Sequence, residues 1–166
     1  MNAYLSAARE LVTTGIEKSR TPLTPALEAH LSFTVARFMD APVKTDLITV
    51  QYYRAVEERA KRDRIREIGD CCLISCGLFP ERIRKSGGRI SYYAGLGQGA
   101  YDQVGMTEAA WGFSSMLDVL SSLGEGRTAR NLLDLARGGS SAAEKDLRKE
   151  NVILFSTEKF RRVSRS

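Results

Sequence analysis

A chain of 166 residues, 43% hydrophobic and 27% charged, has the size and composition of one globular domain with a real core, which excludes wholesale disorder. Its longest nearly uninterrupted apolar run, Cys71 to Phe79, falls well short of the ~20 residues a membrane span needs. The net charge of +5 is concentrated, because Lys159, Arg161, Arg162 and Arg165 supply four positive charges in the last eight residues and leave +1 for the other 158.

The opening MNAYLSAARELV has no basic region followed by an apolar block, which points to a cytoplasmic chain. Helical periodicity begins there: Asn2 is a cap, and Leu5, Ala8, Val12 and Ile16 recur at three- and four-residue steps, with an end expected near Gly15. Thr24-Pro25 is an N-cap followed by proline at the first helical position. The helix it opens carries Leu27, Leu31, Val35, Phe38 and Met39 on one stripe and breaks at Asp40-Ala41-Pro42.

TDLITVQYY is rich in β-branched and aromatic residues, as a strand would be. Its pattern nevertheless runs on into EERAKRDRIREIGD, so a long helix interrupted near Arg62 is favoured. Glu57-Lys61 and Glu58-Arg62 would be favourable i,i+4 pairs, and the charge run reads as a solvated face. From Ile65 the pattern turns apolar through Ile68, Cys72, Leu73, Cys76 and Phe79, the central element of the core. Gly69, Cys72 and Cys76 form a small-residue track along it. Pro80 ends or kinks this helix, and PERIRKSGG supplies a short basic helix stopped by Gly87-Gly88.

In ISYYAGLGQGAYDQVG, residues Gly95, Gly97 and Ala100 fit the G-x-G-x-x-[GA] spacing of a dinucleotide loop. That motif needs a strand before it and a second strand within ~30 residues, and no candidate for the second strand follows. The favoured reading is a Ser91-capped helix whose glycines let it approach the Gly69 to Cys76 track. Each glycine costs a helix about 1 kcal/mol relative to alanine, so close packing would be the reason for them. Thr107 then caps a helix that holds Trp111, Ser114 or Ser115, Leu117 or Asp118, and Leu120 to Leu123, with Asp118 inside it. A turn at Gly124-Glu125-Gly126 leads to TARNLLDLAR, a helix with Leu132, Leu133, Leu135 and Ala136 on its stripe and Gly138-Gly139 at its end. Ser141 to Glu144 is a capping box opening a helix to about Asn151, and VILFS either continues it or forms one short strand. The expectation is an all-α bundle of six to eight helices over residues 1–158, with a mobile basic tail at 159–166.

The series Gly69-Asp70, Leu73, Gly77-Leu78-Phe79-Pro80-Glu81-Arg82, Tyr92-Tyr93, Gly97 and Ala100-Tyr101 resembles a pattern found in a group of uncharacterised bacterial proteins. The resemblance spans Ile65 to Val104. It implies an all-helical bacterial protein in which GLFPER and YYxxxGxxAY form one structural unit, and it attaches no activity.

Asp70 sits awkwardly within the apolar helix. If buried it needs a partner, for which Arg82, Arg84 and Tyr93 are the candidates, and a satisfied buried acid is favoured over a catalytic carboxylate. Tyr92, Tyr93 and Tyr101 could line a ligand pocket or simply pack. Arg82, Arg84, Lys85 and Arg89 are the best anion-binding candidates within the body of the chain. His30, the sole histidine, has no recognisable nucleophile or metal partner and reads as structural or exposed. The three cysteines, Cys71, Cys72 and Cys76, are an odd number without a secretory signal; small buried hydrophobes are favoured over a redox or metal role.

No HExxH, P-loop, GxSxG or paired-acid signature occurs, so no catalytic residue, cofactor or metal is assigned. The leading expectation is a non-enzymatic cytoplasmic adaptor or regulatory domain that binds a protein partner or a second copy of itself. One alternative is nucleic-acid binding through Arg82 to Arg89 and the tail. Another is a small-ligand or enzymatic pocket around Asp70, Tyr92, Tyr93 and Tyr101.

Overall fold

The computed structural model describes residues 2–41, 48–58, 61–124, 136–137 and 139–149. Every regular element among them is a helix and none is a strand, as the periodicity predicts. The Gly95-Gly97-Ala100 spacing therefore has no sheet beside it among the described residues, and a dinucleotide loop loses its structural context.

Helix α1 (Asn2–Ser19) runs a turn past its expected end. Gly15 is a contact point rather than a stop: a Cβ there would lie 2.6 Å from the Val119 carbonyl oxygen. Arg20 then turns the chain at φ +54°. Helix α2 (Pro25–Asp40) starts as the sequence predicts, with Thr24 Oγ1 accepting from the Leu27 N–H at 3.2 Å. The Thr24 hydroxyl also donates to Glu108 at 2.6 Å and so ties the start of α2 to a segment 84 residues further along the chain. Leu27, Leu31 and Val35 are buried, while Met39 lies at the exposed edge of the stripe.

The long helix is interrupted slightly earlier than expected, giving α3 (Ile48–Glu57) and α4 (Arg62–Leu78). Glu58, in the turn after α3, pairs with Arg64 at 3.4 Å rather than with Arg62. Helix α4 is central and packs against α2, α3, α6 and α8, as well as the short α5 (Pro80–Lys85) that follows it. Ile65, Ile68, Cys72, Leu73, Ile74 and Cys76 are all buried. Pro80 occupies the first position of α5, and Gly87 closes it at φ +83°, with Gly88 N–H bonding Ile83 and Gly87 N–H bonding Arg84. That is the Schellman pattern, which needs a left-handed residue and favours glycine.

Helix α6 (Ile90–Gln103) passes unbroken through GLGQGA. Its N-cap is the extended Arg89, so Ser91 lies inside the first turn instead of capping it. It ends on a second Schellman pattern at Gly105, φ +75°. The expected single helix from Thr107 is divided at Gly112 into α7 (Thr107–Trp111) and α8 (Phe113–Ser121), with Met106 as the cap. Gly112 leaves room for α2: a Cβ there would lie 2.4 Å from a terminal methyl of Leu27. Trp111, the chain's single tryptophan, is 86% exposed on α7.

Helix α9 (Ser141–Lys149) is capped by Ser140, one residue before the expected box. The Ser140 hydroxyl accepts from the Ala143 N–H at 3.1 Å and donates to Asp118, a buried acid on α8. This bond orients the start of α9 against α8, which a sequence reading of Asp118 as an ordinary helix residue does not anticipate. The break at Pro42, the VILFS segment, the tail from Lys159 and nearly all of TARNLLDLAR lie outside the described residues. No helix among the described residues is long and apolar enough to cross a membrane.

Candidate functional site

The glycines of the α4–α6 contact create the space for the most distinctive chemistry in the fold. A Cβ on Gly97 would fall 2.6 Å from the Phe113 ring and 2.9 Å from the Cys72 Cβ. On Gly69 it would fall 2.7 Å from the Tyr101 ring. Gly95 has nothing within 4 Å, so only part of the glycine run serves close contact. With Gly69 bare, the Tyr101 ring lies against the α4 backbone and its hydroxyl reaches the next residue, Asp70.

Asp70 is 1% exposed, yet it is fully engaged. The Tyr101 hydroxyl donates to Oδ1 at 2.5 Å, and Arg37 Nη2 donates to Oδ2 at 2.9 Å. Arg66, one turn earlier on α4, holds its Nε 3.9 Å from Oδ2. His30 Nε2 lies 3.1 Å from the Tyr101 oxygen and 3.5 Å from Asp70 Oδ1. Because Tyr101 gives its one hydroxyl proton to Asp70, the His30 contact requires a proton on Nε2. His30 meets the Tyr101 ring edge-on at 5.3 Å, and Tyr101 in turn tilts against Phe113 at 5.8 Å.

The electrostatics favour a fixed protonation state. Burial lowers the His30 pKa below its usual 6.5, the nearby Asp70 charge opposes this, and Arg66 and Arg37 reinforce it. Burial, with the Asp70 charge and hydrogen bond adding to it, drives the Tyr101 phenol far above its usual range. At neutral pH the set is therefore neutral His30, protonated Tyr101 and an arginine-paired Asp70. A buried carboxylate with these donors is stable where an isolated one would cost several kcal/mol.

A cleft of about 380 Å³ lies beside this network, lined by Ala26, Leu27, His30, Met106, Thr107 and Glu108 among others. Only His30 belongs to both. Asp70 and Tyr101, which is 0% exposed, do not line the cleft. The carboxylate and the phenol are thus withheld from any molecule in the cleft, and the arrangement acts as a polar lock joining α2, α4 and α6.

Asp70 and Tyr101 are the two sequence candidates that the fold brings together. The partners of Asp70 are not Arg82, Arg84 or Tyr93. Arg82 stacks over the Phe79 ring at 4.4 Å, and Arg84 pairs with Glu81 on its own helix. Lys85 ends α5 and Arg89 caps α6, both exposed. Of the four cations offered for anion binding, two are therefore already engaged by neighbours in or beside α5. Tyr93 packs toward Gly88, where a Cβ would lie 2.5 Å from its ring, and this contact ties the turn after α5 to α6.

Tyr92 projects toward α3. It is 46% exposed and meets Tyr93 edge-on at 5.5 Å, while Tyr52 and Tyr53 form a similar pair at 5.6 Å. The neighbouring Tyr92 hydroxyl raises the Tyr53 phenol above its usual pKa. Tyr53 is 54% exposed and Val50, three residues earlier on α3, is 46% exposed. Tyr53 and Tyr92 thus face outward together across α3 and α6, each backed by a partly buried neighbour, Tyr52 and Tyr93, that packs against the core.

All three cysteines are free, and Cys72 and Cys76 are fully buried. Burial pushes the half-buried Cys71 thiol up to about 11, so it is protonated at neutral pH and a poor nucleophile. Among the described residues, no three His, Cys, Asp or Glu side chains gather as a metal ion would require. Sequence reasoning reads His30 as structural or exposed without naming its partners, and it misses Arg37 and Arg66. Each had a signal: His30 lies between Leu27 and Leu31 of the buried α2 stripe, Arg37 follows it by two turns, and Arg66 precedes Asp70 by four residues on the same helix. No family model, curated protein or solved structure matches the chain, so the reading of its sites rests on its own residues.

Proposed function

We propose that the chain is a non-enzymatic helical interaction domain that meets a protein partner through the tyrosine cluster of α3 and α6. The observation that carries this reading is the contiguous exposure of Val50, Tyr53 and Tyr92 on two packed helices. Tyrosines held against one another offer rigid, amphipathic area at little entropic cost, which suits a protein interface. The sealed polar network supports the same reading, because its carboxylate and phenol are out of reach of a substrate. Arg89, one turn before Tyr92, and Glu57, one turn after Tyr53, place opposite charges beside the cluster.

The test compares the purified chain with the variant Y53A/Y92A. Light scattering after size exclusion reads self-association, and affinity capture followed by titration of the purified pair reads a second protein. Truncating two central tyrosines costs such an interface at least ~2 kcal/mol, about a 30-fold loss of affinity. A strictly monomeric chain with no partner whose binding depends on Tyr53 and Tyr92 would refute the reading.

A further inference from the structure

A second surface feature lies where the end of α1 meets α9. A groove of about 510 Å³ opens there, and Lys18, Arg20 and Lys145 line it together with Ser19, Ser122 and Asp146. Its volume suits a small molecule rather than a protein surface. We infer that this groove is a binding site for a small, multiply charged phosphate-bearing anion.

Three observations carry the inference. The first is the convergence of cations from elements far apart in sequence, two at the α1–α2 junction and one on α9. The second is their lack of counter-charges. Arg64, Arg84 and Arg148 each lie against a glutamate, whereas among the described residues Lys18, Arg20 and Lys145 form no ion pair. The one acid in the lining, Asp146, holds an interaction of its own. Three like charges facing one groove repel each other, and a bound anion would relieve that repulsion.

The third is the backbone at Arg20. It is the only non-glycine residue at positive φ among the described residues, at +54°. Glycine adopts this conformation freely and is the usual residue after a helix end, so a side chain here is retained against a conformational cost. Its guanidinium can grip two oxygens of one phosphate, with the lysines acting as point charges. The hydroxyls of Ser19 and Ser122 donate to backbone carbonyls, so the cations are the groups left to recognise the ligand.

Isothermal titration of the full chain with inorganic pyrophosphate, at low ionic strength and pH 7.5, tests the site. Saturable one-to-one binding is expected, weakened at least tenfold by Arg20→Gly and by Lys145→Ala. Arg20→Gly should at the same time raise the thermal midpoint, because it removes the strained residue along with the charge. Absence of saturable binding, or affinities within twofold of the parent in both variants, overturns the inference. So does preferential binding of single-stranded RNA at these residues with no response to pyrophosphate. The site is remote from Tyr53 and Tyr92 in sequence and shares no residue with them, so the Y53A/Y92A variant should bind pyrophosphate unchanged.

Discussion

Replacing Tyr101 with phenylalanine removes one oxygen from the centre of the fold and leaves its ring in place. The apolar contacts with Gly69, Phe113 and His30 survive, so the loss is confined to hydrogen bonding. Two bonds disappear, the one donated to Asp70 at 2.5 Å and the one accepted from His30 at 3.1 Å. A bond to a charged group contributes about 1.5–3 kcal/mol and a neutral one about 1 kcal/mol, so the expected cost is about 3 kcal/mol. The cost stays near that figure because Arg37 still holds the other carboxylate oxygen at 2.9 Å. For a chain of this length about 3 kcal/mol corresponds to a fall of about 6–12 °C in Tm. Urea unfolding followed by far-UV circular dichroism at pH 7.5 should show the midpoint lowered with the slope unchanged. A double-mutant cycle with Asp70→Asn should return a coupling of at least about 1 kcal/mol. If Tyr101→Phe stays within about 0.5 kcal/mol of the parent, the network is not what holds α2, α4 and α6 together.

Three other outcomes follow from the same contacts. Gly95→Ala should stabilise the chain by up to about 1 kcal/mol, because α6 gains helix propensity and the new methyl meets open space, whereas Gly97→Ala should destabilise it by about 1–3 kcal/mol through collision with Phe113 and Cys72; equal effects at the two sites in thermal unfolding would refute the packing assignment. His30 has its folded pKa lowered by burial, so the unfolded chain takes up a proton first as pH falls; its contribution is intact above pH 6.5 and declines below it, and His30→Gln should flatten that part of the Tm-against-pH curve. Ellman's reagent at pH 7.5 should label none of the three cysteines rapidly in the folded chain and all three in denaturant; fast native labelling of Cys71 would contradict a thiol held near 11.

Local signals were legible in the sequence because each has a short-range cause. Thr24-Pro25 opens α2, Pro80 opens α5 and Gly87 closes it, as their backbone chemistry dictates. The buried stripe of α4 from Ile65 to Cys76 also reads directly. The boundary shifts at Ser91, Thr107 and Ser141 have tertiary or backbone causes that a capping rule does not contain: Ser140, for example, is recruited by the buried Asp118. The partners of Asp70 were harder still. Arg82 and Arg84 follow it closely in sequence, but Asp70 lies eight residues before the end of α4, about 12 Å along the helix axis from α5. Apart from Arg66, one turn away on α4, its partners are His30, Arg37 and Tyr101, at separations of 31 to 40 residues, and only the helix packing brings these within reach.

The exposure of Trp111 has a practical consequence. An indole that is 86% exposed in the folded chain sits in nearly the same solvent as in the unfolded one. Intrinsic tryptophan emission should therefore change little when the protein melts, and an unfolding curve read at that wavelength would look deceptively flat. The same insensitivity makes Trp111 a quiet reporter of contact: a blue shift in its emission at constant helicity would mark a molecule settling over α7, with no dye attached.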